Sequence, residues 1–520
     1  MSTDSASSQY QYWQQFTIQP SDLDYLANFL MERERPHTVD ELARELVRYR
    51  QEQLTELARR SLSQGRVYHP AEAYHVGEQL IFPHLGNALG EVIAVRAGRN
   101  PEYEPFSVIK VQLEDDEREF VAELQHPHKL NELTLLPANE ASPEEIFACC
   151  GDHIRSVLLE ALEQDPQFVN VAHMWFLQGL LVEISPGSLN IAEAMLDMAG
   201  GGPMRTEELM EEIDLPPEVP EELRKFSLEY ALLRDSRFDE VGPAGYALWY
   251  LRSLEPKEVL ETPPLLQYVP IPYNRQVLDE AMLSLERRAS DEWSELPATE
   301  SPDESATIVL NYPHWRSGTL PLAPHVAHLF PTAHLANRIR FTFVDDDTGE
   351  TFPGWVVRSG RYVYGLKDWF AAKQVLVGTL IDLRPGDEPG VIRIGVRPFR
   401  TQRGEWLRTV TVEKDNLLFE VTRVPVACEF DELAAVAVKN PDALDALRPQ
   451  FSRASLEALL ERAFSGLAGL SLQRAVHAMT LYSVLNLMRR VPPAPMLATL
   501  AVSPRYVSLG DDYWAYRGEK

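Results

Sequence analysis

The chain has 520 residues, 45% hydrophobic and 9% aromatic, which is enough apolar material for several packed domains. Its formal net charge of −29 excludes nucleic-acid binding over the whole surface but leaves room for a local basic site. Cys149, Cys150 and Cys428 form no CxxC pair and supply neither a disulfide framework nor a cysteine zinc site. Without a leader pattern or a run of 18 apolar residues, we expect a cytoplasmic protein that contacts no membrane.

Residues 1–65 are predicted to form an N-terminal helical domain. Thr38 and Glu41 have the T-x-x-E spacing of a capping box, which marks the start of one of its helices. From about residue 66 the apolar spacing changes from helical to alternating, in runs such as "YHVGEQLIFP" and "FSVIKVQLEDDEREFVAEL". A small β-barrel is therefore expected over residues 66–135.

The beginning of this barrel resembles a known family. Val76-Gly77-Glu78, Phe82-Pro83 and Gly90-Glu91-Val92 are similar to the SH3/Tudor-like barrels of CarD-type transcription factors. The resemblance implies an SH3/Tudor-like fold for this region and a link to transcription.

One short pattern occurs three times, as "DPQFVNVAHMWFL" at 165–177, "DSRFDEVGPAGYALWYL" at 235–251 and "SPRYVSLGDDYWAY" at 503–516. Each copy follows a helical stretch and contains an aromatic residue, then Val or Leu three positions later, a turn, and a tryptophan. The pattern predicts a β-hairpin that packs on the preceding helices, with a tip of variable length. The buried aromatic residues are expected to be Phe168, Phe238, Tyr506, Trp175, Trp249 and Trp514. The alternative is three unrelated junctions between a helix and a hairpin.

Residues 186–255 contain three helices followed by the second copy, and they are predicted to form a winged-helix module. "PMRTEEL", the helix ending "YALLRD" and "SRFDEVGPAGYALWYL" resemble the HARE-type helix-turn-helix modules of an RNA polymerase accessory subunit and some restriction enzymes. Helices plus a hairpin at 140–185 and a winged-helix-like module at 428–520 carry the other copies. The third helix, "PEELRKFSLEYALLRD", balances acidic against basic residues, which favours protein contact or scaffolding over DNA binding.

The positive charge is concentrated in a predicted β-domain that follows a predicted linker. Residues 256–306 are rich in proline and charge and are predicted to be a linker with one helix. Residues 307–427 are predicted to form a β-domain, within which residues 337–411 contain twelve Lys or Arg against nine Asp or Glu. This local excess of positive charge contrasts with the strongly acidic remainder of the chain.

The order of elements in the β-domain resembles the B3-type DNA-binding pseudobarrel. A leucine-proline segment, a hairpin turning at Asp347-Thr348-Gly349, the helix "GLKDWF" and the strand entry "LVGT" follow one another as in that family. Thr379 replaces the family's usual acidic residue. The resemblance implies DNA contacts from strand and loop residues at the open side of the barrel.

Arginine and lysine side chains in this region are the candidate nucleic-acid contacts, because they bind phosphates and the guanine edge. The alternative is that they lie on a solvated strand face and alternate with core residues. The candidate set is Arg338, Arg340, Arg358, Arg361, Lys367, Arg397, Arg400 and Arg403.

No catalytic motif stands out in the sequence. It contains no GxGxxG after a strand, no GxxxxGK[ST], no HExxH and no GxSxG, and its histidines have no ligand-spaced cysteines or carboxylates beside them. We therefore expect no catalytic residues, no metal and no cofactor.

The sequence as a whole predicts a multidomain α+β protein, with helical winged-helix-like modules and two small β-barrel domains. The favoured function is a non-enzymatic, DNA-binding or transcription-associated protein whose DNA contact lies in residues 307–427. The alternatives are a DNA-recognition component of a restriction or defence system, a protein–protein adaptor, and an enzyme with an unrecognised site. Duplex DNA and RNA polymerase or another protein are the candidate partners, and the oligomeric state stays open.

Overall fold

The computed structural model describes residues 10, 12–82, 85, 88–100, 104–113, 116–125, 142–243, 247–297, 305–333, 336–471 and 474–517, without the side chains of 57–64 and 400–402. With 38% helix and 28% strand, it confirms the mixed α+β class. The chain forms two compact units. One comprises residues 1–183 and 216–227, and the other comprises residues 184–215 and 228–520.

The first unit begins with a helix, a two-residue strand and a long helix: α1 (Pro20–Arg33), β1 (His37–Thr38) and α2 (Val39–Gln64). The predicted capping box starts α2. The Thr38 hydroxyl oxygen accepts from the Glu41 amide at 3.2 Å, and the Glu41 carboxylate accepts from the Thr38 amide at 2.9 Å. Two otherwise unpaired amides are thereby satisfied at the first turn.

A five-stranded sheet follows, in the order β2-β3-β4-β5-β6. Its strands are β2 (Arg66–Val67), β3 (Gln79–Phe82), β4 (Ala88–Ala97), β5 (Ser107–Gln112) and β6 (Glu117–Ala122). Tyr68, Phe82, Val92 and Ile109 form the centre of its core. The expected barrel extended to residue 135, and residues 126–135 lie outside the described part of the chain.

The chain then returns to complete the sheet that β1 began. Helix α3 (Pro143–Gln164) leads into β7 (Phe168–Val171) and β8 (Met174–Leu177), and the strand order is β1-β8-β7. The helical segments predicted separately at 1–65 and 140–185 therefore share one sheet, with the five-stranded sheet inserted between α2 and α3. We call this assembly the first module.

The second module repeats the same order of elements without an insertion. It consists of α4 (Pro186–Met198), β9 (Met204–Arg205), α5 (Thr206–Glu212), α6 (Glu221–Arg234), β10 (Phe238–Glu240) and β11 (Leu248–Leu251). Its sheet has the order β10-β11-β9. Leu196, Leu209, Leu228 and Trp249 pack together at its centre.

Residues 256–297 were predicted to belong to a linker, but the structure packs them into the second unit. They contain α7 (Lys257–Leu260) and α8 (Glu280–Arg288), and Met282 and Leu285 of α8 join the largest core of the chain. The charged residues that suggested a linker include Glu286, Asp291 and Glu292, all of which are buried. Residues 298–304 of the predicted linker lie outside the described part.

A seven-stranded sheet in the order β12-β17-β18-β14-β15-β16-β13 forms the β-domain. Two short helices, α9 (Tyr312–Ser317) and α10 (Lys367–Lys373), connect its strands. The core lies on one side of the sheet and includes Phe341, Phe343, Ile381 and Ile394. The strands are β12 (Ala306–Val309), β13 (Thr319–Pro321), β14 (Arg338–Asp345), β15 (Thr351–Val357), β16 (Tyr362–Tyr364), β17 (Leu380–Pro385) and β18 (Val391–Val396).

A long two-stranded ribbon leaves the β-domain through β19 (Pro398–Glu413) and β20 (Asn416–Cys428), and β21 (Ala437–Val438) pairs with β19. Lys414 and Asp415 form its turn with φ angles of 47° and 60°. Positive φ at two central residues is typical of the tight hairpin turns that match strand twist.

The third module follows helix α11 (Pro441–Leu447). It comprises α12 (Leu456–Leu467), β22 (Ala475–His477), α13 (Ala478–Met488), α14 (Pro493–Val502), β23 (Tyr506–Gly510) and β24 (Tyr513–Tyr516). Its sheet has the order β22-β24-β23, which matches the other two modules.

The three predicted hairpins occupy equivalent places. Trp175 pairs with His37, Trp249 with Met204 and Trp514 with Val476. In every module, the residue after that strand partner is the N-cap of the second helix. The tryptophans are 4%, 1% and 6% exposed, and Phe168, Phe238 and Tyr506 are also buried. The predicted hairpins and their buried aromatic residues are confirmed.

Candidate nucleic-acid interface

Arg338, at the start of β14, is held by carboxylates of the second module. It forms ion pairs with Asp239 and with the buried Glu255, the latter at 3.1 Å. Burial raises the pKa of Glu255 to about 8, even though Arg338 lowers it. Arg338 therefore joins the second module to the β-domain, and its charge is largely compensated by carboxylates within the protein.

Arg340 and Arg358 lie near Arg338 and are also partly buried. The Arg340 guanidinium is 6.0 Å from the centre of the Tyr250 ring. The Arg358 side chain donates to the carbonyl oxygen of Pro331 at 2.7 Å. Burial lowers the pKa of both guanidinium groups, so each side chain is engaged within the fold.

Arg361, Lys367 and Arg397 are exposed but do not form one group in the fold. Arg361 occupies a left-handed turn, with φ 56°, and lies 4.6 Å over the Trp293 ring. Lys367 begins α10. Arg397 makes two hydrogen bonds to Asp382, at 2.8 and 3.0 Å. The eight candidates are thus spread over several strands, and most are paired or stacked within the protein.

Arg403 differs from these residues because it is exposed on the ribbon. The sequence suggested a basic loop at 397–403, whereas β19 already begins at Pro398 and the strand bulges between Pro398 and Arg403. The Arg403 guanidinium lies 4.7 Å from the Phe399 ring. Among the described residues, no carboxylate is within 4 Å of its nitrogens. The side chain of Arg400 lies outside the described part.

Trp406 is the most exposed tryptophan that the structure describes, with 70% of its side chain accessible. Trp355 and Trp369, the other tryptophans among the basic residues, are in the core. Trp406 lies opposite Arg423 in the ribbon register, and Gly404 lies opposite Pro425. Cross-strand partners share a face of the sheet, as do residues two positions apart on one strand.

We call this surface the ribbon face: Gly404, Trp406, Val421, Arg423 and Pro425, all exposed. The Arg423 Nε donates to the carbonyl oxygen of Gly404 at 3.3 Å. A Cβ at position 404 would lie 2.4 Å from that nitrogen, so glycine lets the arginine lie across the strand. The opposite side of the ribbon is closed, because Leu407 and Val426 pack with Ala435 in a small core.

Arg423 was not among the predicted contacts, because it lies beyond the basic stretch at 337–411. The available signal was the two-residue turn at Lys414-Asp415, which sets the register opposite Trp406. Without that turn, nothing in the local sequence separates Arg423 from other surface arginines.

The third helices of the modules, which would face DNA in a winged helix, are poorly suited to phosphate binding. Helix α14 contains no charged residue and is buried along most of its length, up to Leu500. Helix α3 carries five acidic residues and one arginine, and α6 has three acidic and three basic residues. Charge therefore disfavours DNA contact through any of these helices.

A cluster of ionisable groups, each at most 3% exposed, lies within the second unit. Arg490 is 2.7 Å from carboxylate oxygens of both Asp291 and Glu292. His314 lies 3.1 Å from Glu292, and the Tyr482 hydroxyl donates to Asp291 at 2.7 Å. These contacts join the segment after α8 to α9 and to the third module.

The two carboxyl groups of this cluster have pKa values displaced in opposite directions. Burial raises the pKa of Asp291. Burial also acts to raise the pKa of Glu292, but Arg490 and His314 overcome it and lower that pKa to about 2. Because groups of opposite charge are paired in the interior, we call this cluster the ionic lock.

Within the described residues, no three His, Cys, Asp or Glu side chains are grouped to hold a metal ion. The acidic turn at 345–347 is used internally, since Asp345 accepts from the Trp369 indole at 2.8 Å and from Lys373 at 3.0 Å. Among the described residues, no helix has the length and apolar character needed to cross a bilayer. Comparisons with family models, curated proteins and solved structures return no match.

Proposed function

We propose that this chain is a non-enzymatic DNA-binding protein whose DNA contact is made by the β-domain and its ribbon. The observation that carries the proposal is the exposed Trp406 beside Arg423, with Arg403 near it on the same strand. Among the described residues, neither arginine has a carboxylate within 4 Å. An uncompensated cation next to an exposed aromatic side chain is suited to bind phosphate and base together.

The charge distribution supports this location. Residues 337–411 carry a small positive excess in a chain whose net charge is −29. The acidic remainder repels DNA elsewhere, which directs a polyanion toward the basic region. A protein with this distribution is expected to bind DNA locally and with a strong dependence on salt.

In the same proposal, the three modules serve as a scaffold for the β-domain and its ribbon. We interpret all three as winged-helix modules because each has the order helix, strand, helix, helix, strand, strand and one three-stranded sheet. The seven strands and two short helices of the β-domain agree with a B3-like pseudobarrel, and the inserted sheet agrees with an SH3/Tudor-like barrel. The acidic or buried third helices favour protein contacts, for which RNA polymerase is a candidate partner.

The test is a fluorescence anisotropy titration of the full chain with a labelled duplex at roughly 50 and 200 mM salt. The full chain is needed because Tyr312, Val410 and Phe419 of the β-domain and ribbon share a core with the third module. If Arg403 and Arg423 both bind phosphates, changing both to alanine lowers the slope of log affinity against log salt by about two.

A matched control removes the same charge elsewhere. Arg96 and Arg118 are about half exposed and paired with Glu119 and Asp116 in the five-stranded sheet. The double change of these two residues to alanine should leave the slope unchanged. Absence of duplex binding by the unmodified chain at low salt would refute the proposal and leave the protein–protein adaptor as the leading function.

A further inference from the structure

We infer that Trp406 is a stacking platform for an unstacked base, so that the preferred ligand is DNA containing a bulged or single-stranded nucleotide. The inference rests on the proposed function and goes further by naming the form of DNA. It follows from the exposure of the indole, the rigidity of the strand beneath it and the position of Arg423 beside it.

The indole is presented by a fixed backbone rather than by a flexible loop. β19 and β20 remain paired from Arg403–Val426 to Glu413–Asn416, and Leu407, next to Trp406, is anchored in the core on the opposite side. Arg408, two residues on, donates to the carbonyl oxygen of Leu433 at 3.0 Å. A platform held in this way loses little conformational entropy when a base stacks on it.

A cation beside the indole matches the phosphate next to a stacked base. Arg423 is on the same face as Trp406 and is held over Gly404 by its hydrogen bond. Arg403, three residues earlier on the same strand, shares the opposite face of the ribbon with its cross-strand partner Val426 and lies against Phe399. Aromatic side chains beside basic ones bind single-stranded nucleic acid without sequence preference.

Apart from Arg423, the ribbon face has few side chains that could read base edges in an intact duplex. Trp406 offers one N–H donor, while Val421 and Pro425 offer no side-chain hydrogen bond. Base faces are hidden in a fully paired duplex and become available only when a nucleotide leaves the stack. The same surface therefore gains an additional contact on bulged or single-stranded DNA.

The experiment compares three labelled probes with the full chain: a 20-base-pair duplex, the same duplex with one bulged adenine, and the single strand. We expect the bulged duplex and the single strand to bind more tightly than the paired duplex. Trp406→Ala should lower the affinity for those two probes by about 5- to 100-fold and leave paired-duplex affinity nearly unchanged. Trp406→Phe should retain most of the affinity because it keeps an aromatic face.

Replacing the bulged base with 2-aminopurine gives a direct measure of stacking. Its fluorescence should fall on binding to the unmodified chain and remain high with Trp406→Ala. If Trp406→Ala weakens all probes equally, or the unmodified chain shows no preference among them, the stacking inference is wrong while the proposed DNA contact stands. If no probe binds at low salt, both are wrong.

Discussion

The indole nitrogen of Trp249 donates a hydrogen bond of 3.0 Å to the hydroxyl oxygen of Thr206. That hydroxyl in turn donates to the buried carboxylate of Glu229 at 2.8 Å. These two hydrogen bonds connect β11, the last strand of the second module, to the start of α5 and to the middle of α6. The sequence predicted Trp249 only as a buried aromatic side chain. Its indole N–H is also the first donor in a series of buried hydrogen bonds.

Trp249→Ala should destabilise the second unit by about 3–5 kcal/mol, because it leaves a large cavity and an unsatisfied polar chain. Trp249→Phe fills most of the space and should cost less. Urea unfolding followed by circular dichroism measures both changes. A loss below about 1 kcal/mol for the alanine variant would contradict the packing described for this module.

Trp406→Ala should leave stability within about 0.5 kcal/mol of the unmodified chain, since the side chain is mostly in water. This variant is the natural counterpart of Trp249→Ala: the same substitution, at an exposed instead of a buried strand position. The midpoint of urea unfolding is the measurement. A large fall in the midpoint would mean that Trp406 packs against the protein and is not free to stack on a base.

Arg490→Met should destabilise the second unit by about 3–5 kcal/mol, because Asp291 and Glu292 then remain buried without their guanidinium partner. Combining it with Asp291→Asn and Glu292→Gln removes all three charges and should restore part of that loss. Chemical denaturation of the single and triple variants provides the comparison. If the triple variant is less stable than the single one, hydrogen bonding rather than charge pairing dominates the ionic lock.

The ionic lock also gives an acid dependence. The pKa of Glu292 is lowered to about 2 in the folded chain, so its stabilisation is present above the unfolded pKa near 4.3 and is lost as pH falls toward 2. We expect Glu292→Gln to reduce the loss of melting temperature between pH 5 and pH 3. If the melting temperature falls equally in the unmodified chain and in Glu292→Gln, other carboxylates control acid unfolding.

Glu240 should have the opposite effect near neutral pH. Burial raises its pKa to about 7, although it accepts a 2.9 Å hydrogen bond from the Gly242 amide. Its contribution is therefore fully present below the unfolded pKa and is lost as pH rises through about 7. Glu240→Gln should raise the melting temperature at pH 8 more than at pH 5. Glu144→Gln, at an exposed position, is the control. It should leave the melting temperature unchanged both at pH 8 and at pH 5.

The sequence predicted features that local patterns determine and missed those that depend on distant partners. The hairpin tryptophans were recognised because an aromatic pattern repeats around each turn. Strands β1 and β9 have only two residues each, too short for an alternating pattern, so the first strand of these modules was not predicted. Asp291 and Glu292 resembled linker residues because their cation, Arg490, is far away in sequence.

The candidate interface shows the same limit. The excess of arginines at 337–411 was visible from composition, but Asp239, which neutralises Arg338, lies 99 residues earlier. Without that partner, Arg338 and Arg403 appear equally available. Exposure and pairing, which only the folded chain defines, separate the ribbon arginines from the structural ones.

The ionic lock has a consequence for biosynthesis. Arg490 is 198 residues downstream of Glu292, and a ribosome needs roughly 10–40 s to add that length. Throughout that interval Asp291 and Glu292 have no guanidinium partner. The apolar side chains that the third module later covers remain exposed to solvent. The second unit therefore cannot complete its largest core until the last helices are made.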